Sequence, residues 1–408
     1  MKAEEIIKTD NLSVGYGKKV VISSINQRIP KGKFVCILGP NGSGKTTILR
    51  TLARLNDPLA GVVYLKGRDI YEYKDSELAK HVSVVLTSQT YPSLMTVFEF
   101  VAMGRYPYTD ILGRLTDQDI KEVEESLRLV SAEQLSDRYL NELSDGERQK
   151  VIFARALAQN PDVIMLDEPT VFLDLKHKIE LVEILKRSCK EKGITVIVSL
   201  HDVELALRVA ELVILIKDKR IVAFGEPEEI LNENTVSYLY ELKYARFNPY
   251  LGTINILERK DDHSPKLFVI AGGGTGTPVY RIASKKGFSI ATGILHENDV
   301  DFFVAKDLGA SVISERPFCR IRRKSLELSF NLIKESTCVI DSGFPIGDVN
   351  IENLELIREA VVSKKKVISL RKKDELFKFL GKHASKINFV KKPNEILKLT
   401  ASNKVDIY

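Results

Sequence analysis

Three things are scarce in this 408-residue chain, and each absence narrows it. No run of about 18 uncharged apolar residues occurs, so no segment reads as a membrane-crossing helix. The opening residues, MKAEEIIKTD, lack the apolar core of a secretory signal. The expectation is a cytosolic protein that does not itself cross a membrane. Cysteine is also sparse: Cys36, Cys189, Cys319 and Cys338 are scattered, with no Cys-x-x-Cys pair and no histidine cluster nearby. That pattern argues against both disulfides and structural zinc.

Charge of one sign does not dominate either. The net charge is +6, with 28% charged and 44% hydrophobic residues, ordinary for a soluble globular chain of about two to three domains. Its distribution is uneven. From Lys266 onward there are 25 Lys and Arg against 16 Asp and Glu, which is +9 and leaves −3 for the first 265 residues. A basic C-terminal part fits an anionic ligand, nucleic acid, a membrane surface or simply a lysine-rich solvated face, and charge alone does not choose among them.

What is present is organised around Gly39, Pro40, Asn41, Gly42, Ser43, Gly44, Lys45, Thr46 and Thr47, a full G-x-x-x-x-G-K-[ST] match directly after the apolar run 34–38. A buried strand running into glycines turns backbone N–H groups toward a β-phosphate. Lys45 then reaches the β/γ oxygens, and the Thr46 hydroxyl is placed for Mg²⁺. Residues 46–55 have helical spacing, so a helix N-terminus also points at the anion. Nucleotide binding follows.

Upstream, residues 11–29 alternate apolar and polar around Gly15, Tyr16 and Gly17, as two antiparallel strands would. Tyr16 is either an adenine-stacking aromatic or a buried strand tyrosine. Downstream, residues 81–89 read as a strand ending in Gln89, whose amide oxygen can accept Mg²⁺ or water. Residues 97–160 are helical, with a loop at 106–113, and contain Leu143, Ser144, Asp145, Gly146 and Glu147. Ser144 Oγ and the Gly146 N–H make either a second anion site or an ordinary helix cap. The apolar strand 162–166 ends in Asp167, Glu168 and Pro169; Asp167 can hold Mg²⁺ through water and Glu168 can polarise an attacking water. After Phe172, Leu173 and Asp174 comes a helix, then the strand 195–200, then His201, which can hold the γ-phosphate, water and Glu168 in line.

In this order and spacing, Tyr16, GPNGSGKTT, Gln89, LSDGE, VIMLDEP, FLD and His201 resemble the complete motif set of an ABC-transporter ATP-binding subunit over about residues 5–245. The resemblance implies an adenine-stacking aromatic, Walker A, Q-loop, signature, Walker B, D-loop and H-loop, with ATP and Mg²⁺ as cofactors. The signature departs from LSGGQ at Asp145 and Glu147 and keeps Ser144 and Gly146. The resemblance further implies a head-to-tail pair of copies, the signature of each closing on ATP held by Lys45 of the other. Residues 103–119 are similar to subunits that energise uptake of iron–siderophore, haem or cobalamin complexes. The implied partners are a polytopic membrane permease and, through it, an extracytoplasmic substrate-binding protein. The implied location is the cytoplasm, peripheral on the inner face of the cell membrane, and no nucleic-acid partner is expected. The alternative is an ABC ATPase of another transport substrate, or a non-transport ABC ATPase whose C-terminal domain senses or processes a small anionic ligand, although neither repair-type coiled-coil insertions nor a second cassette is seen in this sequence.

The expected fold class is α/β: a P-loop NTPase core with a helical signature subdomain over 1–245, a linker or domain-boundary hairpin over 246–265, and a second Rossmann-like parallel α/β domain over 266–408. In the last part, six short apolar segments alternate with helical stretches of about 12 to 15 residues, the pattern of a parallel sheet. Its first strand runs into Gly272, Gly273, Gly274, Thr275, Gly276, Thr277 and Pro278. That loop either approaches an anionic small ligand or makes a tight strand-to-helix turn; G-x-G-x-x-G fails at Thr277. Farther on, the order of elements is similar to phosphoribohydrolase and molybdenum-cofactor-carrier proteins of the lysine-decarboxylase-like group. Gly343, Phe344, Pro345, Ile346 and Gly347 stand where that group has its Pro-Gly-Gly-x-Gly-Thr-x-x-Glu loop. The glycine pair and the catalytic glutamate are missing, so an accessory domain rather than a hydrolase is expected.

Overall fold

The computed structural model describes residues 4–86, 94–171, 173–256 and 266–401. Gln89 and Phe172 lie outside the described residues. The chain divides into two compact units, Met1–Glu241 and Leu242–Tyr408.

In the first unit, three short apolar strands are buried at every position: Phe34–Leu38, Val163–Asp167 and Thr195–Ser199. Burial on both faces is what continuous apolar runs require, and parallel sheets covered by helices provide it. The six-stranded sheet runs, in spatial order, Arg220–Gly225, Leu212–Lys217, Phe34–Leu38, Thr195–Ser199, Val163–Asp167 and Val82–Val85. All neighbours are parallel except the antiparallel pair at Arg220–Gly225. A second, antiparallel sheet is built on Glu5–Tyr16, which pairs with Lys19–Ile25, Arg28–Pro30 and Ala60–Leu65. The two sheets share one apolar core, including Ile6, Val14, Ile37, Ile48, Met165 and Ile216.

The parallel order decides where function sits. Phe34–Leu38, Thr195–Ser199 and Val163–Asp167 are neighbours whose C-terminal ends emerge together, with Ile37 and Asp167 both in register with Ser199. The loops bearing Lys45, Glu168 and His201 therefore converge, as in open α/β sheets generally.

The helical region consists of Val97–Ala102, Asp117–Leu129 and Asp145–Ala158, with a 3₁₀ segment Met103–Tyr108. Its internal brace is a buried ion pair, Arg105 Nε to Asp119 Oδ1 at 2.9 Å, with Arg105 Nη1 donating to Ala158 O at 2.7 Å. Arg105 of the Gly-Arg-Tyr-Pro segment is thus an interior strut. Met103, Tyr106, Ile111 and Leu112 beside it are exposed, Ile111 completely.

The second unit is a six-stranded, wholly parallel sheet in the order Ser311–Glu315, Ser289–His296, Lys266–Ile270, Cys338–Asp341, Lys366–Ser369, Asn388–Phe389. Counted along the chain this is 3-2-1-4-5-6, the doubly wound Rossmann arrangement. Apolar clusters cover both faces, one around Phe268, Ile333 and Leu356, the other around Val269, Tyr280 and Ile340. Of the two readings for the boundary stretch, part of it takes the hairpin: Ala245–Asn248 and Thr253–Ile256 pair antiparallel. Its Phe247 is buried, and Asn248 and Asn255 both donate to Asp307 Oδ2, at 2.9 and 2.8 Å. Those contacts tie the hairpin to the helix Val300–Asp307.

Candidate functional site

At the mouth of the first unit's parallel sheet, one cavity of about 490 Å³ is lined by Tyr16, Lys19, Val21, Asn41, Gly42, Gly44, Lys45, Thr46, Thr47, Glu168 and His201. Residues far apart in sequence meet there because their strands are neighbours. The helix Lys45–Leu52 begins after Gly44, whose φ of 105° is a left-handed conformation that glycine adopts without a side-chain penalty. The turn aims the helix N-terminus into the cavity. Lys45 is almost fully buried and its ammonium bonds Gly39 O at 2.9 Å and Pro40 O at 3.1 Å. An ammonium has three donors, so one direction stays open toward the cavity. Burial lowers the Lys45 pKa, with Glu168 and then Asp167 acting in the opposite direction. The Ser43 hydroxyl is buried without a hydrogen-bond partner. A buried cation and an orphaned hydroxyl inside a loop of backbone donors fit a polyphosphate.

Tyr16 is half exposed at the rim, and Thr47 Oγ1 donates to its hydroxyl at 3.4 Å. An exposed ring at a cavity edge suits stacking better than core packing, which favours the first of its two readings. Opposite, His201 Nε2 lies 2.5 Å from Glu168 Oε1. Glu168 has φ 49°, a conformation costly for a side-chain-bearing residue and concentrated at functional positions. The sequence reading missed Ser199: its hydroxyl donates to Asp167 Oδ1 at 2.7 Å and accepts from the Glu168 amide at 2.8 Å. No motif marks this serine. The signal is its register opposite Asp167, which exists only in the sheet.

Ser144 and Gly146 do not line this cavity. Ser144 caps the helix Asp145–Ala158 in a reciprocal box: Glu147 N donates to its Oγ at 3.4 Å, while Glu147 Oε2 accepts from the Ser144 amide at 2.9 Å and from its hydroxyl at 2.8 Å. Those bonds, the backbone one first, hold the Glu147 carboxyl below its ordinary range. The departure from glutamine thus strengthens the cap. A second cavity, about 240 Å³, lies between this helix and the acidic turn, lined by Asp145, Arg148 and Gln149 together with Asp167, Glu168 and Leu173.

The glycine loop of the second unit departs from the ligand-binding reading. Asp301, fully buried, accepts from the N–H of Gly272 at 3.0 Å, Gly276 at 2.9 Å and Thr277 at 2.8 Å, and from the Thr277 hydroxyl at 2.8 Å. Asp299 Oδ2 accepts from Gly273 N at 2.7 Å. Four amides of the loop are therefore taken by the chain's own carboxylates, and a methyl group on Gly273 would lie 3.1 Å from Pro345. Of the two readings for residues 272–278, this favours the tight, internally capped turn over the anionic-ligand site.

Comparison with known proteins agrees with the geometry. Residues 22–171 match the ABC transporter family, and residues 290–397 match the MJ0874 family. The chain is 48% identical over 290 residues to the uncharacterised ABC transporter ATP-binding protein MJ0873 of Methanocaldococcus jannaschii, covering 71% of this chain and all of that protein. It is 38% identical over 237 residues to the ferric enterobactin transport ATP-binding protein FepC of Escherichia coli, 58% of this chain and 88% of the relative. Among solved structures, cbiO1 of Clostridium perfringens, part of the ABC transporter complex cbiONQ, aligns with a TM-score of 0.51 at 28% identity, over 61% of this chain and 98% of that one. The chain belongs to the ATP-binding proteins of ABC transporters. It binds nucleotide and hydrolyses ATP, and among the described residues no helix is long and apolar enough to cross a membrane.

Proposed function

We propose that this ATPase energises a membrane importer of metal chelates of the iron–siderophore, haem or cobalamin type, bound to a polytopic permease on the cytoplasmic face and served outside by a substrate-binding protein. The observation that carries the ATP chemistry is the convergence of Lys45, Glu168 and His201 on one cavity. Thr46, Asp167 and Gln89 would hold Mg²⁺, which when bound would screen the phosphate charge. Glu168 orients and accepts a proton from the attacking water, and His201, already on the Glu168 carboxylate, keeps it aimed at the γ-phosphate. The importer assignment is supported by the ferric enterobactin relative. The exposed Met103, Tyr106, Ile111 and Leu112 suit an apolar permease contact. The second unit is an accessory domain.

Ser144 and Gly146 lie apart from the Lys45 cavity, which suits a signature that completes the site of a second copy. Two copies related by a two-fold axis complete two sites, and hydrolysis removes the charge that holds them shut. With ATP and Mg²⁺, Glu168→Gln should bind nucleotide, lose about 10²- to 10⁴-fold in turnover and move from monomer to dimer in sedimentation. Adding Ser144→Arg should abolish the dimer and leave nucleotide binding intact. A doubly substituted protein that still dimerises, or Ser144→Arg alone hydrolysing normally, refutes the trans-site arrangement. Transport is tested by reconstituting the chain with its permease in vesicles and following ATP-dependent uptake of a ferric siderophore and of cobalamin.

A further inference from the structure

Two motif-bearing helices of one subunit meet at a side chain that no motif contains. Asp174 caps the helix Leu175–Lys192 by accepting the His177 amide at 2.9 Å, and it accepts again from His177 Nδ1 at 2.7 Å. A carboxylate on Nδ1 fixes the ring's orientation and tautomer and turns Nε2 away. It turns toward Gly146. A methyl group placed on Gly146 would lie 2.4 Å from Nε2, 2.5 Å from Cδ2 and 2.7 Å from Cε1 of His177. The imidazole therefore rests on the bare Cα near the start of the helix Asp145–Ala158, a closeness only glycine permits. One turn along, Lys150 pairs with Glu180 of the facing helix at 2.8 Å, a second tie between the same two elements.

We propose that His177 is a positioning residue for ATP hydrolysis. It locks the Asp174 turn, which follows the Glu168 segment, to the Gly146 end of the signature helix, so that the two move as one body. The inference rests on the trans-site reading above. Under it, Glu168 serves the nucleotide of its own copy while Gly146 serves the nucleotide of the other. A rigid link between them makes closure of one site bias closure of the second, and the coupling is reciprocal. Removing the ring leaves a gap beside Gly146, and a displacement of about 1 Å at a reacting group can cost about a hundredfold in rate.

The test is His177→Asn, whose amide nitrogen keeps a donor near the place of Nδ1 while removing the part of the ring that rests on Gly146. Full-chain ATPase is measured against ATP concentration, alongside the thermal midpoint and the nucleotide affinity of the monomer. The expected result is a kcat reduced roughly ten- to hundredfold and a Hill coefficient falling toward one, with midpoint and monomer affinity unchanged. Wild-type kcat and cooperativity would overturn the inference. So would a loss of activity that merely follows a lowered midpoint with cooperativity kept, since that is a structural role only. Ser144→Arg is run in parallel. Normal hydrolysis there removes the trans-site reading and this inference with it, whereas loss there beside a wild-type His177→Asn removes the inference alone.

Discussion

The Ser199 hydroxyl donates to Asp167 Oδ1 across 2.7 Å while accepting the amide of Glu168, so one side chain from the neighbouring strand fixes both acidic residues of the site. Ser199 and Asp167 are buried and in register, which leaves this contact little freedom. Ser199→Ala removes the hydroxyl that donates to Asp167 Oδ1 and accepts from the Glu168 amide. Losing such a supporting contact typically costs about 10- to 100-fold. The expected outcome is a drop of that order in kcat with ATP affinity retained, measured by steady-state ATPase and by equilibrium nucleotide titration. Unchanged turnover would show that Asp167 and Glu168 are held without Ser199.

The Glu147 carboxylate gives the signature helix a pH-dependent cap. Its folded pKa is depressed by the Ser144 backbone and hydroxyl bonds. A depressed acid stabilises the fold above its unfolded value of about 4.3, and this contribution is lost as pH falls through the lower folded value. Glu147→Gln keeps an acceptor for Ser144 but does not titrate, so its thermal midpoint should depend less steeply on pH between about 3 and 5. The measurement is a melting series across that range for both proteins; parallel curves would mean the box contributes no linkage. The ATPase of Glu147→Gln should stay within a few-fold of wild type, since Ser144 and Gly146 are untouched.

In the second unit, Asp301 occupies the place an external anion would take at the start of the helix Gly276–Lys285. Burial, the largest influence, raises its pKa, and the bonds from Gly276 and Thr277 offset part of that rise. Asp301→Ala should orphan three backbone donors and the Thr277 hydroxyl, at roughly 1–3 kcal/mol for each donor left dry. Calorimetry of the full chain should show one transition lowered, and sulfate or phosphate should restore part of it in the variant but not stabilise the same transition in wild type. Equal stabilisation of wild type by phosphate would reinstate residues 272–278 as an anion site.

Exposed apolar residues on the helical region make a separable prediction. Ile111 and Leu112 are 103% and 72% exposed and flank no catalytic group. Ile111→Asp with Leu112→Asp should leave the ATPase of the isolated chain near wild type while weakening permease binding and vesicle uptake at least tenfold. Wild-type uptake would place the permease contact elsewhere.

The local elements were legible because their causes are local. A buried strand, glycines and a lysine at fixed spacing mark the loop at 39–47, and an apolar run ending in Asp167 and Glu168 marks the acidic turn. All six apolar segments of the second half became strands of one parallel sheet. What spacing could not supply is which strand lies beside which. The placing of Phe34–Leu38 between Leu212–Lys217 and Thr195–Ser199 comes from packing of the whole unit.

The sequence by itself determined the family, the phosphate loop and the two acidic residues, because those depend on residue type and short-range order. Only the tertiary structure decided that Arg105 is an interior brace, that the hairpin at 245–256 is tied to Asp307, that Asp301 meets the amides of the glycine loop, that Ser199 meets Asp167 and that His177 meets Gly146. Each of these is a contact between residues distant in the chain or on different elements. Asp301 is a helix-start aspartate like others until the fold puts it 2.9 Å from the Gly276 amide, and Gly146 has no room for a side chain once His177 arrives beside it. Hydrogen bonds and steric contacts act over a few ångströms, so a partner brought close by folding leaves no trace in the local sequence of either residue.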